Sequence, residues 1–249
     1  GGSDAAQAIM TTDTVPKTAV ESVDGWTVGG MAKGAGMLAP ALATMLVVIT
    51  TDAVLTAAEA DAALREATRL TFDRTDSDGC MSTNDTVILM ASGASGVRPS
   101  TEAFTEALTA VCGDLASQLL ADAEGAAHDI AIHVEKAATE DDALDVARCI
   151  ARSNLFKCAV FGNDPNWGRV LAAAGTSKAT FDPDAVSVSF NGVEVFTSGG
   201  LGADRSLVDL KSSRDVDVTV DLAAGDAYAT VWTNDLTYDY VKENAEYSS

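Results

Sequence analysis

Thr44 stands in the run Ala41-Leu-Ala-Thr-Met-Leu46, just ahead of a β-branched apolar stretch. A threonine hydroxyl is a weak nucleophile and needs a base beside it. The chain holds two histidines, His128 and His133, five apart in an alternating, strand-like segment. That spacing puts them on opposite faces of a strand, so neither a histidine metal site nor a Ser-His-Asp arrangement is expected. The base left to Thr44 is its own α-amine, released by cleavage of the Ala43–Thr44 bond. Ala43 is small enough to leave room for that attack. An ordinary strand-edge threonine is the competing reading, and the residues alone leave both open.

Lys33 opens the glycine-rich loop Lys33–Pro40 and is the only basic residue between Lys17 and Arg65. Its glycines could let the backbone and the ammonium close on a small carboxylate, or could form a plain irregular turn. The same loop contains Gly34-Ala-Gly36-Met-Leu-Ala39, which matches the dinucleotide-binding pattern in spacing. That pattern requires a following helix, whereas Pro40 and a β-branched run follow here. No phosphate-binding GxxxxGK[ST] occurs either, and no cofactor is expected. Glu124 lies at the expected end of a long helix, with Gly125 behind it. Acidic charge there is mildly unfavourable, so Glu124 is either a solvated helix end or a site residue.

The rest of the composition narrows the class. Lys and Arg total 16 against 37 Asp and Glu, a formal charge of −21 over 249 residues. Such a surface repels phosphate backbones and anionic lipid, so nucleic-acid and membrane-surface binding are excluded as the main role. Hydrophobic residues make up 47%, enough for a folded core. Cys80, Cys112, Cys149 and Cys158 show no zinc or redox spacing and read as reduced thiols. The apolar run from Met37 to Ile49 contains Pro40 and is too short for a membrane span. The N-terminus resembles no signal peptide, and a cytoplasmic protein is expected. It also lacks an initiator methionine, as a processed product or a piece of a longer chain would.

The elements that must position these residues read as α/β. A short helix over Asp4–Met10 precedes two strands between Thr18 and Ala32 that turn at Asp24-Gly25. Met45–Thr50 and Thr86–Ala91 read as strands buried on both faces. Thr56-Ala-Ala-Glu59 is a capping box that starts a helix running to about Arg74. Pro99 and Ser100 open the long helix. A first domain over 1–125 and a second over 126–249 are expected. The second begins with a strand from His128 to Ala137, then a helix from Thr139 to Asn154 with an acidic first turn. A strand over Leu155–Phe161 and a helix opened near Pro165 come next. A hairpin at Asn191-Gly192, two alternating strands around Gly225 and a terminal helix over Tyr238–Asn244 complete the chain.

Six ordered segments carry a resemblance. AIMTTDTVPK (8–17), MAKGAGMLAPALATMLVVITTDA (31–53), STNDTV (82–87), DAEG (122–125), GNDPNWGRV (162–170) and DLTYDYVKENAEYSS (235–249) span nearly the whole sequence. Together they resemble the bifunctional ornithine acetyltransferase / glutamate N-acetyltransferase family of arginine biosynthesis, in its actinobacterial flavour. The resemblance implies a layered α/β sandwich with a smaller C-terminal α/β domain. It implies a precursor that cuts itself before Thr44 into an α and a β chain, assembled as a heterotetramer of two each. Thr44 would then take acetyl from N-acetylornithine and pass it to glutamate, and some members also use acetyl-CoA as donor. Thr11, Lys33, Thr44, Glu124, Asn244 and Ser249 match the family's substrate-binding positions. Family precursors also carry an earlier segment with a Thr-Gly pair resembling an oxyanion hole, which this sequence does not contain. The alternatives are an N-terminal-nucleophile amidase or aminopeptidase, and an inactive fragment without its oxyanion hole.

Overall fold

The computed structural model of the chain describes residues 1–39, 45–80 and 84–246. It divides into two compact units of comparable length, Gly1–Thr75 with Cys80–Ala123, and Asp76–Gly79 with Glu124–Ser249. Each is a sheet with helices, so the fold is α/β. Among the described residues, no helix is long and apolar enough to cross a membrane.

In the first unit a short helix α1 (Gly2–Ala8) precedes the hairpin of β1 (Lys17–Val23) and β2 (Trp26–Lys33). Asp24 and Gly25 both take positive φ (38° and 89°), the backbone a tight two-residue hairpin needs. Strands β3 (Leu46–Thr51) and β4 (Thr86–Ala91) extend the sheet in the order β1-β2-β3-β4, with only β3 and β4 parallel. Helix α2 (Ala57–Leu70) starts at Thr56, whose side chain and that of Glu59 make the reciprocal bonds of a capping box. Helix α3 (Thr101–Ala121) packs on β1 and β2 and buries Phe104, Leu108, Val111, Leu115 and Leu119. The Trp26 and Phe104 rings meet at 5.5 Å.

Strands β3 and β4 are not buried on both faces as their composition suggests. Val47 and Ile49 are buried, but Ile88 is 45% and Met90 51% exposed. The cross-strand register puts Val20, Gly29, Thr50 and Met90 on one face and Ala19, Gly30, Ile49 and Leu89 on the other. Leu115 of α3 lies over Gly30, which identifies the second face as the helix-covered one.

The second unit holds a six-stranded sheet in the order β10-β5-β9-β6-β7-β8. Its strands are β5 (Asp129–Ala137), β6 (Ser187–Phe190), β7 (Val193–Thr197), β8 (Gly200–Leu201), β9 (Asp215–Asp221) and β10 (Ala227–Asn234). The last two follow one another in sequence but do not pair. Strand β5 lies between them, parallel to β9 and antiparallel to β10. Helix α4 (Glu140–Ala151) packs on β5 and β10. Ile130, Ile132, Val134, Val146, Ile150, Phe156, Val218 and Val231 form the centre of the core.

Leu155–Phe161 is a helix rather than the expected strand. Helix α5 (Asn154–Phe161) is capped by Ser153, whose side chain accepts from the Phe156 N–H. Its buried residues, Phe156, Lys157, Ala159 and Val160, recur at helical spacing. Helix α6 (Trp167–Ala174) is capped by Asn166, and α7 (Tyr238–Glu246) ends the described chain.

Candidate functional site

In the first unit Asp13 organises the loop that carries Thr11 and the loop that carries Lys33. Its Oδ1 accepts from the Gly34 N–H at 2.7 Å and from Lys17 Nζ at 2.6 Å, and its Oδ2 from the Thr11 N–H at 3.1 Å. Lys17 is wholly buried and also bonds Asp122 Oδ2 at 2.5 Å, while the Thr14 N–H donates to the same oxygen at 3.0 Å. Two carboxylates around one ammonium suit a buried charge, which is tolerable only when it is paired and hydrogen-bonded. Burial alone would push the Asp13 carboxyl up, but the Gly34 N–H, Lys17 and the Thr11 N–H hold it below the usual range. The result is that Lys33 Nζ comes to 3.5 Å from Thr11 Oγ1, with Lys33 only 5% exposed. Two of the sequence-predicted site residues therefore meet, joined through an aspartate that was not among them.

A cavity of about 580 Å³ in the same unit is lined by Leu38, Ala39, Met45, Phe72, Asp85 and Leu119 among others. Asp85 Oδ1 accepts from the Met45 N–H at 2.9 Å. Burial raises the Asp85 carboxyl, and the Met45 N–H and the Lys33 charge oppose that rise. Thr44, the residue before Met45, and Ser249 lie outside the described residues, as does Pro40 of the glycine loop.

In the second unit Glu124 lines a cavity of about 360 Å³ with Asp78, Arg152, Lys157, Asp235 and Tyr240. Gly125 behind it has φ +63°, and a Cβ there would sit 2.1 Å from the Tyr240 nitrogen, so only glycine fits. Thr237 Oγ1 donates to the Gly125 carbonyl and accepts from the Tyr240 N–H, which ties the start of α7 to this glycine. Asn244 lies one turn further along α7, exposed, and donates to the Tyr240 carbonyl at 3.0 Å. The Glu124 and Asn244 positions thus share one local frame through Tyr240.

Lys157 is 4% exposed at the base of this cavity. It donates to the Ser77 carbonyl and to Thr233 Oγ1. Burial pulls its ammonium down to about 8, against the pull of Asp76, Asp78 and Asp235. Asp76 is itself pushed up by burial and held by Arg152 Nε at 2.6 Å. The only signal of Lys157 in the sequence is a basic residue inside an apolar run.

Neither histidine is placed as a free base. His128 is buried with Nδ1 2.7 Å from Asp235 Oδ2 and Nε2 3.1 Å from the Leu210 carbonyl, so both ring nitrogens are engaged. His133 is part-exposed beside Thr230 and Asp217. Cys80, Cys112, Cys149 and Cys158 are not joined in disulfides, and burial pushes Cys112 up to about 12.

The ArgJ family model matches residues 2–249. The chain is 65% identical over 249 residues to the arginine biosynthesis bifunctional protein ArgJ of Streptomyces coelicolor, all of this chain against 65% of that protein. Against the protein of the same name from Mycobacterium leprae it is 59% identical over 251 residues, or 61% of that protein. The crystal structure of the arginine biosynthesis bifunctional protein argJ from Bacillus halodurans superposes with a TM-score of 0.76 at 34% identity. It covers 81% of this chain and 98% of that one. The chain thus spans about 65% of the length of the Streptomyces relative. It belongs to the ArgJ family.

Proposed function

From that membership we propose that the chain is the nucleophile-bearing part of a glutamate N-acetyltransferase of arginine biosynthesis. It moves acetyl from N-acetylornithine to glutamate through an acetyl-threonine on Thr44. In maturation Thr44 Oγ attacks the Ala43 carbonyl carbon. The Oγ–C bond forms, the C–N bond breaks, and the hydroxyl proton ends on the freed amine. Water then hydrolyses the ester, leaving a carboxylate on Ala43 and both hydroxyl and α-amine on Thr44. In turnover the neutral α-amine takes the Oγ proton as Oγ attacks the acetyl carbonyl, and ornithine leaves with its amine protonated. Glutamate's amine reverses these events and carries the acetyl away.

Lys33, beside Thr11, pairs with the substrate α-carboxylate, and Glu124, Asn244 and Ser249 complete the set of substrate-binding residues. The remaining length of the family's chain supplies the oxyanion-stabilising groups. The mature enzyme is a cytoplasmic heterotetramer of two α and two β chains. The observation that carries this reading is the pairing of Lys33 with Thr11 across Asp13, in a chain matched by the family model from end to end.

The test is the intact mass of the family-length protein and of its Thr44→Ala variant, followed by acetyl transfer with labelled N-acetylornithine. The wild type should split before Thr44 and label glutamate, and the variant should stay whole. A variant that still splits there, or label released to water rather than to glutamate, overturns the reading.

A further inference from the structure

Lys17 and Lys157 are both buried, and their charges are met differently. Lys17 is clasped by two carboxylates, Asp13 and Asp122. Lys157, among the described residues, bonds only neutral oxygens, the Ser77 carbonyl and Thr233 Oγ1. An ammonium has three hydrogens, so one donor is left over. The acids whose charge reaches Lys157 are Asp76, Asp78 and Asp235. Asp76 is engaged by Arg152 and the Gly79 N–H. Asp235 is engaged by the His128 ring and by the Ala127 and His128 N–H groups. Asp78 is part-exposed. A buried charge is ordinarily paired with an opposite one in direct contact, and Lys157 has no such partner.

The cavity that Lys157 lines also carries the opposite sign. Glu124 on its wall has no hydrogen-bond partner among the described residues. Ala151, Leu236 and Val241 add an apolar lining suited to a methylene stem. All of these residues belong to the second unit. A cavity built for end groups of one sign would not need both an anchored ammonium and an uncommitted carboxylate. The two substrates of the reading above do need both. N-acetylornithine and glutamate share an α-carbon with its carboxylate and nitrogen, and differ at the end of the side chain. One ends in an ammonium and the other in a carboxylate. Because the acetyl group waits on the enzyme between them, they occupy the site in turn.

We propose that Lys157 is a specificity residue for the acceptor, its remaining N–H binding the side-chain carboxylate of glutamate in the cavity where Glu124 takes the ornithine ammonium. The inference deepens the acetyltransferase reading and rests on it. Lys157 takes no part in the proton transfers at the acetyl group.

The experiment uses the family-length, cleaved protein, with labelled N-acetylornithine as donor and glutamate or glutamine as acceptor. Glutamine has the shape of glutamate without its side-chain charge. In the wild type kcat/KM for glutamine should lie about 10- to 100-fold below that for glutamate. In Lys157→Met the preference should shrink to within about threefold through loss of glutamate, with KM for N-acetylornithine within about threefold of wild type. Lys157→Gln keeps an N–H for the Ser77 carbonyl and should lose the preference too. It is read in place of the methionine variant if thermal melting shows that one unfolded. The wild-type preference should also fade above about pH 8, where the free enzyme's Lys157 loses its charge. A wild type that uses glutamine as well as glutamate overturns the inference alone. So does a wild-type preference that stays constant from about pH 7 to 10. A folded variant that keeps the preference, or whose KM rises equally for N-acetylornithine and glutamate, overturns it as well. A wild type that labels neither acceptor overturns the acetyltransferase reading and the inference with it.

Discussion

Lys157 makes the stability of the second unit depend on pH in the alkaline range, with a sign opposite to most surface lysines. Its ammonium titrates near 8 in the folded chain instead of at the reference 10.5, because burial disfavours the charge more than Asp76, Asp78 and Asp235 support it. Below about pH 8 the lysine is charged in both folded and unfolded chains, and its burial cost is constant. Between about 8 and 10.5 the unfolded chain still holds a proton that the folded chain has released. The unfolded state then binds more protons, so stability rises with pH in that window. The gap between 10.5 and about 8, at about 1.4 kcal/mol per pH unit, comes to about 3 kcal/mol. The perturbation is Lys157→Met, which keeps the chain length and removes the proton. Methionine removes the ammonium's bonds to the Ser77 carbonyl and Thr233 Oγ1, so the variant's absolute stability is the wrong quantity to read. The stability difference, wild type minus variant, should be flat from pH 7 to 8 and then climb by most of that 3 kcal/mol up to pH 10.5. Urea unfolding with 5-fluorotryptophan separates the units by fluorine NMR, since Trp167 and Trp232 belong to the second and Trp26 to the first. A difference that stays within about 0.5 kcal/mol across the window, or that falls, would refute the burial argument for Lys157.

Gly125→Ala should destabilise the second unit by more than about 2 kcal/mol, because its Cβ meets the Tyr240 backbone at 2.1 Å. Limited trypsin digestion should then cut faster at Lys242 in the released α7. Asp13→Asn should cost the first unit about 3 kcal/mol or more at pH 7, since it leaves Lys17 with one charged partner. Asp13 titrates lower folded than unfolded, so that deficit should shrink as pH falls below 3.8, and urea midpoints read at the Trp26 resonance check it. Lys33→Met should raise KM for N-acetylornithine about 10-fold or more with the fold intact. Unchanged steady-state KM values for both N-acetylornithine and glutamate would remove Lys33 from substrate binding.

What the sequence disclosed and what it hid divide by the range of the forces involved. Asp24-Gly25 and Asn191-Gly192 fix hairpins with their own backbone preferences, and Thr56 reaches only to Glu59. Such signals are complete within four residues. Leu155–Phe161 has no such closure. Its apolar run suits a strand or a helix equally, and the outcome depends on the Ser153 cap and on the core that receives Phe156 and Val160. Strands β3 and β4 differ from the buried strands their composition suggests for a related reason. Their composition records that both faces are apolar, but burial depends on what packs there, and α3 covers the Gly30 face. The candidate site follows the same division. Thr11 and Lys33 were legible as motif residues, whereas the aspartate that brings them together works through Lys17 and Asp122, which lie 105 residues apart. Asp122 and Glu124 share the DAEG motif. The sequence directs attention to the glutamate as the residue for a ligand, while the aspartate two places earlier anchors the buried lysine that braces the Thr11 loop. Asp85 stands in the STNDTV segment, whose spacing carries a family resemblance and no sign of a backbone partner. Its bond to the Met45 N–H arises at a single rung, where a side chain takes the place that the ladder reserves for a backbone carbonyl. A residue of that kind carries no spacing signature, because its partner is chosen by strand register and not by sequence distance.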